Sequence, residues 1–375
     1  MGGCQVPDLL IEFEQRAGRA LDAVDGGDLL GEREQGRFVR FQHVDDESAD
    51  GDHTRTWHPD APRASTRRGG ERGQVRATPI PLPVDRGTVF ERILVPTDRS
   101  DPARRALEQA ADLTTRYDAT LTALRVVDTR ELDGSSDLDE RTEVARTDLD
   151  DAIEDLDVDP TPEGVVRAGI PSEEILDYAD EEWIDLIVMG THGRTGVRRY
   201  LLGSVAEKVV RLSDLPVLSV HPAEVDVGSV PYERILVPTD GSDGAGVAVD
   251  CATDLAKTYG ADLHAVSVVD TGAMAPDVQF DVIRDQLRER AQTAVETVAE
   301  ATREAGIDDT QTAVLEGRAH DAIKSYADEE RIDLIVMGTH GRSGLDRYLL
   351  GSVAEKLVRT ASVPVLTVRM PEASE

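Results

Sequence analysis

At 375 residues the chain is long enough for two or three domains, each with its own core. Its 74 acidic side chains against 41 basic ones leave a formal charge of -33. That charge would repel a nucleic-acid backbone, and no basic stripe with interleaved aromatics offsets it.

Cys4 and Cys251 are too few and too far apart for a disulfide framework or a zinc site. No apolar run reaches bilayer length, and the N-terminus lacks a charged-then-apolar signal pattern. Only four lysines, Lys208, Lys257, Lys324 and Lys356, stand against a large excess of arginine. A dispersed acidic surface of this kind suits molar salt, where repulsion is screened within about 3 Å. These features predict a cytoplasmic protein of a salt-accumulating halophile, with neither nucleic acid nor membrane as partner.

Residues 1–88 match nothing later in the chain and contain no lysine. Leu9, Leu10, Phe13, Ala17, Leu21 and Val24 have helical spacing. From Ser48 to Pro83 the composition of Gly, Pro, Arg, Asp and His cannot bury enough surface to offset its ordering entropy. This segment is expected to be largely disordered. An alternative expectation is a mis-assigned start, with Val89 as a GTG initiator.

Beyond it two phrases occur twice. ERILVPTD is identical at Glu91–Asp98 and Glu233–Asp240. Asp185–Arg211 and Asp333–Arg359 differ only at Thr195/Ser343, Val197/Leu345, Arg198/Asp346 and Val209/Leu357. Repetition at this length means a duplicated domain, not a solenoid unit. The expected layout is domain one over 89–221, a linker over 222–231 and domain two over 232–370.

In the first copy the strand candidates are Arg92–Pro96, Thr120–Val127, Gly164–Arg167, Leu186–Met189 and Val217–Val220. In the second they are Arg234–Pro238, Asp262–Val269, Gln311–Leu315, Leu334–Met337 and Val365–Val368. Runs of Val, Ile and Leu with little alternation fit strands covered on both faces. Helical spacing links Ala106, Leu107, Ala110, Ala111 and Leu113, and likewise Ala248, Cys251, Ala252, Leu255 and Ala256. Ser172 is a candidate helix cap ahead of Glu173 and Glu174. Strands alternating with helices predict an α/β fold: two tandem Rossmann-like domains, each a five-stranded doubly wound parallel sheet. Between its second strand and its glycine motif the second copy is six residues longer, around Thr271–Arg290.

In open parallel sheets ligands bind past the carboxyl ends of the strands. Asp98 and Asp240 end the first strands, and Gly190 and Gly338 end the fourth. From there runs Gly-x2-Gly-x9-Gly-Ser: Gly190, Gly193, Gly203, Ser204, and Gly338, Gly341, Gly351, Ser352. Each Gly-Ser pair precedes a helix, offering free backbone N–H groups and a hydroxyl to an anion, and glycine lets phosphate oxygens approach. One glycine turn would be weak evidence, but two copies in the same context point to phosphate. Neither a Walker A loop nor the dinucleotide fingerprint is present.

The strand end ILVPTD, the phrase VMGTHGR, the glycine spacing and the closing PVL strand resemble the universal stress protein family over Phe90–Val220 and Tyr232–Val368. The spacing is that of the family's ATP-binding branch, whose fold is adenine nucleotide α-hydrolase-like. The resemblance implies ATP with Mg²⁺ or Mn²⁺ on its phosphates, one site per domain. Pro96, Thr97 and Asp98, with Pro238, Thr239 and Asp240, would line the sites, the aspartates against the adenosine. Val126 and Val268 would offer backbone groups to the adenine. Met189, Gly190, His192, Gly193 and Arg194, with Met337, Gly338, His340, Gly341 and Arg342, would hold ribose and phosphates beside Gly203, Ser204 and Val205 and Gly351, Ser352 and Val353. The resemblance also implies closing strands paired across a two-fold axis, as an internal pseudo-dimer or a homodimer.

His192 and His340 read as phosphate contacts or loop braces, because no Ser–His–Asp arrangement gives them a general-base role. Arg194 and Arg342 divide evenly between phosphate clamp and solvent-facing side chain. Asp128 and Asp270 either help place a metal or cap turns. Cys251 reads as core, and Arg99 against Gly241 is a local difference expected to alter affinity. The principal alternative is slow ATP hydrolysis or self-phosphorylation at Ser204 or Ser352, though no water-activating residue is evident. A nucleotide-free scaffold is the other.

Overall fold

The computed structural model describes residues 90–131, 135–156, 158–191, 202–221, 230–270, 280–339 and 350–370. All of them belong to one compact unit, Gln74–Glu375. The first 89 residues, and the expectations made for them, lie outside the described part.

In the first half the chain runs β1 (Arg92–Pro96), α1 (Asp101–Tyr117), β2 (Thr120–Asp128), a 3-10 turn (Thr129–Glu131), α2 (Ser135–Glu154), β3 (Glu163–Gly169), α3 (Pro171–Glu181), β4 (Leu186–Gly190), α4 (Ser204–Leu212) and β5 (Val217–Val220). The second half repeats the order: β6 (Arg234–Pro238), α5 (Asp243–Tyr259), β7 (Asp262–Val269), α6 (Phe280–Glu304), β8 (Gln311–Glu316), α7 (Ala319–Glu329), β9 (Leu334–Gly338), α8 (Ser352–Thr360) and β10 (Val365–Val368). β3 is longer than its apolar run suggested because Ala168 and Gly169 still pair with Val127 and Asp128. Sheet pairing, not hydropathy, fixes where it stops.

The first helix of each half starts under a serine. Ser100 Oγ accepts from Ala103 N, and Ser242 Oγ accepts from Ala245 N, satisfying one of the amides a helix start leaves free. Each helix stops at a left-handed residue, Asp118 (φ 53°) in one and Gly260 (φ 67°) in the other. The expected cap at Ser172 is not found. α3 begins at Pro171 with Ile170 as its cap residue, and Ser172 is buried inside the first turn. Proline's fixed φ suits the first helical position, which moves the start upstream of the serine.

The strands form one ten-stranded sheet ordered β3-β2-β1-β4-β5-β10-β9-β6-β7-β8. Within each half neighbours are parallel, with Arg92 opposite Thr120 and Arg234 opposite Asp262 at the starts. At the centre β5 and β10 run antiparallel, with Leu218 opposite Leu366. The closing strands of the two halves therefore pair within the chain. Thr367 Oγ1 donates to Val217 O (3.2 Å), and Arg369 bonds Asp214 Oδ1 (3.1 Å) and Arg211 O (2.7 Å) across the seam. Neither four-residue strand is left as an open edge.

Two cores cover the sheet. On one face α1, α2, α5 and α6 pack through residues such as Leu107, Leu113, Leu149, Leu255 and Val298. On the other α3, α4, α7 and α8 pack through Ile175, Val209, Ile323 and Leu357. Paired crossovers on opposite faces follow from right-handed connections leaving the central strand in both directions. The halves also meet beside the seam. Tyr117 donates to Asp254 (2.7 Å) on α5, Tyr259 donates to Asp112 (2.6 Å) on α1, and Tyr232 donates to Gln109 (3.0 Å). Tyr232 is 1% exposed, so the segment joining the halves ends inside the core.

Candidate functional site

In each half the strand order reverses between the first and fourth strands, β1 and β4 or β6 and β9. At such a reversal the connecting helices leave to opposite faces and open a crevice at the carboxyl edge. The repeated residues collect there.

Thr97 N donates to Leu124 O (2.9 Å), and Thr239 N donates to Val266 O (2.8 Å). These bonds turn the peptide groups of Leu124 and Val266 toward the first strand of their half. Peptide orientation alternates along a strand, so Val126 and Val268 turn theirs the same way. The first strand has ended by then, its last pairings being Pro96 with Leu124 and Pro238 with Val266. Both valines thus aim an N–H and a C=O into the crevice, which can read the edge of a planar heterocycle.

Asp98 and Asp240 stand at the crevice lip. Asp98 Oδ1 accepts from Ser100 N (3.0 Å), and Asp240 Oδ1 accepts from Ser242 N (3.0 Å) and Ser242 Oγ (2.6 Å). The aspartates close the turn between strand and helix. The Asp-x-Ser spacing carried this signal in the sequence, and reading the aspartate alone missed the serine.

On the far side of the crevice Gly203 and Gly351 sit at the N-cap positions of α4 and α8, both extended and neither with a side chain to cap the helix. The amides of Ser204, Val205 and Ala206, and of Ser352, Val353 and Ala354, are first-turn groups without an intrahelical acceptor. Their partial positive charge favours an anion. Gly203 N and Gly351 N donate to Thr191 O and Thr339 O (both 2.8 Å), and those threonines donate to Val220 O and Val368 O (both 2.9 Å). Thr191 and Thr339 therefore pin both ends of the glycine loop to the sheet. They were missed as site-builders, although both copies carry them between the glycine and the histidine.

Met189 and Met337 are buried at the ends of β4 and β9, and Pro96 and Pro238 end β1 and β6. Gly190 has a packing reason of its own. A Cβ there would lie 2.8 Å from Pro102 C and 2.9 Å from Ala103 N at the start of α1, too close for any side chain. His192, Gly193, Arg194, His340, Gly341 and Arg342 lie outside the described residues.

Asp128 is committed to Arg130, accepting at Oδ1 from Nε (2.9 Å) and the backbone N (3.0 Å) and at Oδ2 from Nη2 (2.5 Å). The Arg130 guanidinium holds its carboxyl below the usual carboxylate range, so of the two readings the turn cap describes it. No cluster of three or more His, Cys, Asp or Glu able to hold a metal occurs among the described residues. Cys251 is core, and burial pushes its thiol up to about 12. Asp185 and Asp333, which open the longer repeated phrase, sit at the opposite edge of the sheet. Each takes two backbone N–H bonds at 2.9–3.0 Å, Asp185 from Glu91 and Arg92 and Asp333 from Glu233 and Arg234. They tie strands together and explain part of the repetition without any ligand.

The universal stress protein family profile matches residues 90–221 and 231–369, and the chain belongs to that family, in tandem form. A universal stress protein of Methanocaldococcus jannaschii is 38% identical over 144 residues, covering 38% of this chain and 84% of that protein. One of Mycobacterium bovis is 29% identical over 188 residues, covering 49% of this chain and 62% of that protein. The crystal structure of a universal stress protein from Archaeoglobus fulgidus covers 74% of this chain and 98% of its own, at 25% identity and a TM-score of 0.57. Among the described residues no helix is long and apolar enough to cross a membrane.

Proposed function

We propose that this protein is an ATP-binding regulator of the cytoplasmic stress response, with one nucleotide site in each half. The carrying observation is the duplicated crevice. Val126 or Val268 lies past the end of the first strand on one side, and a glycine-capped helix start follows the fourth strand on the other. Asp98 or Asp240 follows the strand between them. A purine at the valines, a ribose near the aspartate and phosphates at Gly203-Ser204 or Gly351-Ser352 use all three features in one ligand. His192, Arg194, His340 and Arg342 belong to the proposed phosphate end through the family resemblance.

Mg²⁺ or Mn²⁺ would come with the phosphates and neutralise their charge; the chain's part is to hold the nucleotide. The sequence supplies no evident water-activating residue, so binding ranks above turnover in this reading. The acidic surface supports a halophilic setting, so the assay belongs in molar KCl. Isothermal titration of the full chain with Mg·ATP should give two sites per chain. Absence of heat up to millimolar ATP would leave a nucleotide-free scaffold. Labelled ATP separates the enzyme reading, because rapid release of phosphate would make the protein an ATPase.

A further inference from the structure

The halves differ beside the crevice. In the first, Arg99 follows Asp98, and its guanidinium pairs with Asp148 of α2. That ion pair spans the space between the α1 turn and α2, with the Asp148 side chain 12% exposed. In the second, Gly241 follows Asp240, and between α5 and α6 lies a cleft of about 810 Å³. Thr239, Gly241 and Ser242, the residues flanking Asp240, line it. Its floor is apolar, with Val249, Ala294 and Val298, and Thr293 and Thr297 add hydroxyls. The volume is that of a small-molecule pocket.

Geometry sets the direction from which this cleft is filled. It lies on the sheet face of α5 and α6, whereas α8, whose start would take the phosphates, packs on the opposite face. A group entering the cleft must therefore leave the ligand from its nucleoside end. Asp243, Asp250 and Glu289 outnumber Arg290 along the rim, which disfavours an anionic group and suits a neutral or cationic one.

We propose that the second half takes adenine nucleotides bearing a neutral or cationic substituent on the base or ribose, housed in the α5–α6 cleft, while the first half admits only the unsubstituted nucleotide. The inference rests on the nucleotide reading of the crevices. Backbone strain does not separate the two positions, since Arg99 (φ 64°) and Gly241 (φ 74°) are both left-handed. An arginine at 241 is thus tolerated in the conformation its counterpart already adopts.

The test is titration of the full chain in molar KCl and Mg²⁺ with three probes: ATP, N6-benzyl-ATP and 2′/3′-O-(N-methylanthraniloyl)-ATP. ATP should fill two sites per chain and at least one analogue a single site. Arg99→Gly with Asp148→Ala should raise the count for that analogue to two. Gly241→Arg should lower it to none while ATP still fills two, with circular dichroism verifying the fold. If ATP binds twice and both analogues bind twice or not at all in the unmodified chain, this inference fails alone. It also fails alone if Gly241→Arg leaves analogue binding intact. If ATP itself does not bind, the nucleotide reading fails with it.

Discussion

The two halves are most alike where strands end and diverge one helical turn away. Asp98 and Asp240 hold their serine amides at the same 3.0 Å, and the Gly203 and Gly351 bonds to Thr191 and Thr339 are both 2.8 Å. Around this frame the supports change. Arg125 donates to Thr97 O (3.0 Å) in the first half, and Ser267 stands at that strand position in the second. The outer edges are guarded differently too. Arg167 of β3 lies over the Tyr178 ring (4.7 Å) and pairs with Glu181 (2.6 Å), whereas Glu316 of β8 receives Arg284 (3.0 Å) and Arg288 (3.3 Å). Charge at an edge deters strand addition whichever residue supplies it. The backbone geometry of the crevice has one solution, and edge protection has many.

If the halves are equal partners, the seam must depend on both. Leu218 and Leu366 face each other there and are each 2% exposed. Leu366→Ala and Leu218→Ala should each cost about 2–5 kcal/mol, the usual range for a buried leucine truncated to alanine. Urea denaturation reads the loss. A cost confined to one leucine would mean that the seam belongs to one half's core and not to both.

A smaller effect tests the contact beside the seam, where Tyr117–Asp254 and Tyr259–Asp112 mirror each other. Tyr259→Phe or Tyr117→Phe should each lose about 1–2 kcal/mol, the scale of a hydrogen bond to a charged acceptor that is partly screened. Burial raises both phenols above their ordinary 10.0. A raised phenol favours the neutral form in the folded state, so stability is full below pH 10 and falls as pH rises beyond it. Each Phe variant should flatten that alkaline fall, and equal flattening by the two would mark the contact as symmetric.

Much of this was open to reading in the sequence. The parallel doubly wound sheet followed from ILVP and LIVMG, whose Ile, Leu, Val and Met residues are buried. The crevice followed from glycines and aspartates at the strand ends. What was not legible depended on distance in the chain. Asp185 to Glu91 spans 94 residues and Tyr117 to Asp254 spans 137, and no local pattern marks such partners. Gly190 was legible as a special position but not for its packing reason, because the start of α1 that crowds it lies far upstream. Ser172 failed as a cap for a local reason: the proline before it took the helix start.

The finest difference between the halves lies under the third helix of each. In the first, Tyr178 meets Thr122. In the second, the same place on β7 holds His264, 1% exposed, with Nδ1 3.0 Å from Tyr326 Oη. Nε2 has no hydrogen-bond partner among the described residues. Burial lowers the imidazole below its ordinary 6.5, against the opposing pull of Glu330 and Asp262. A lowered base stays neutral in the fold while the unfolded chain takes up a proton, so stability falls as pH drops below 6.5. His264→Thr, which copies the first half's solution, should reduce that slope. Urea midpoints at pH 5 and pH 7.5, in buffered molar KCl, read it directly. If the variant keeps the full acid slope, the sensitivity belongs to carboxylates common to both halves and His264 does not set the second half apart.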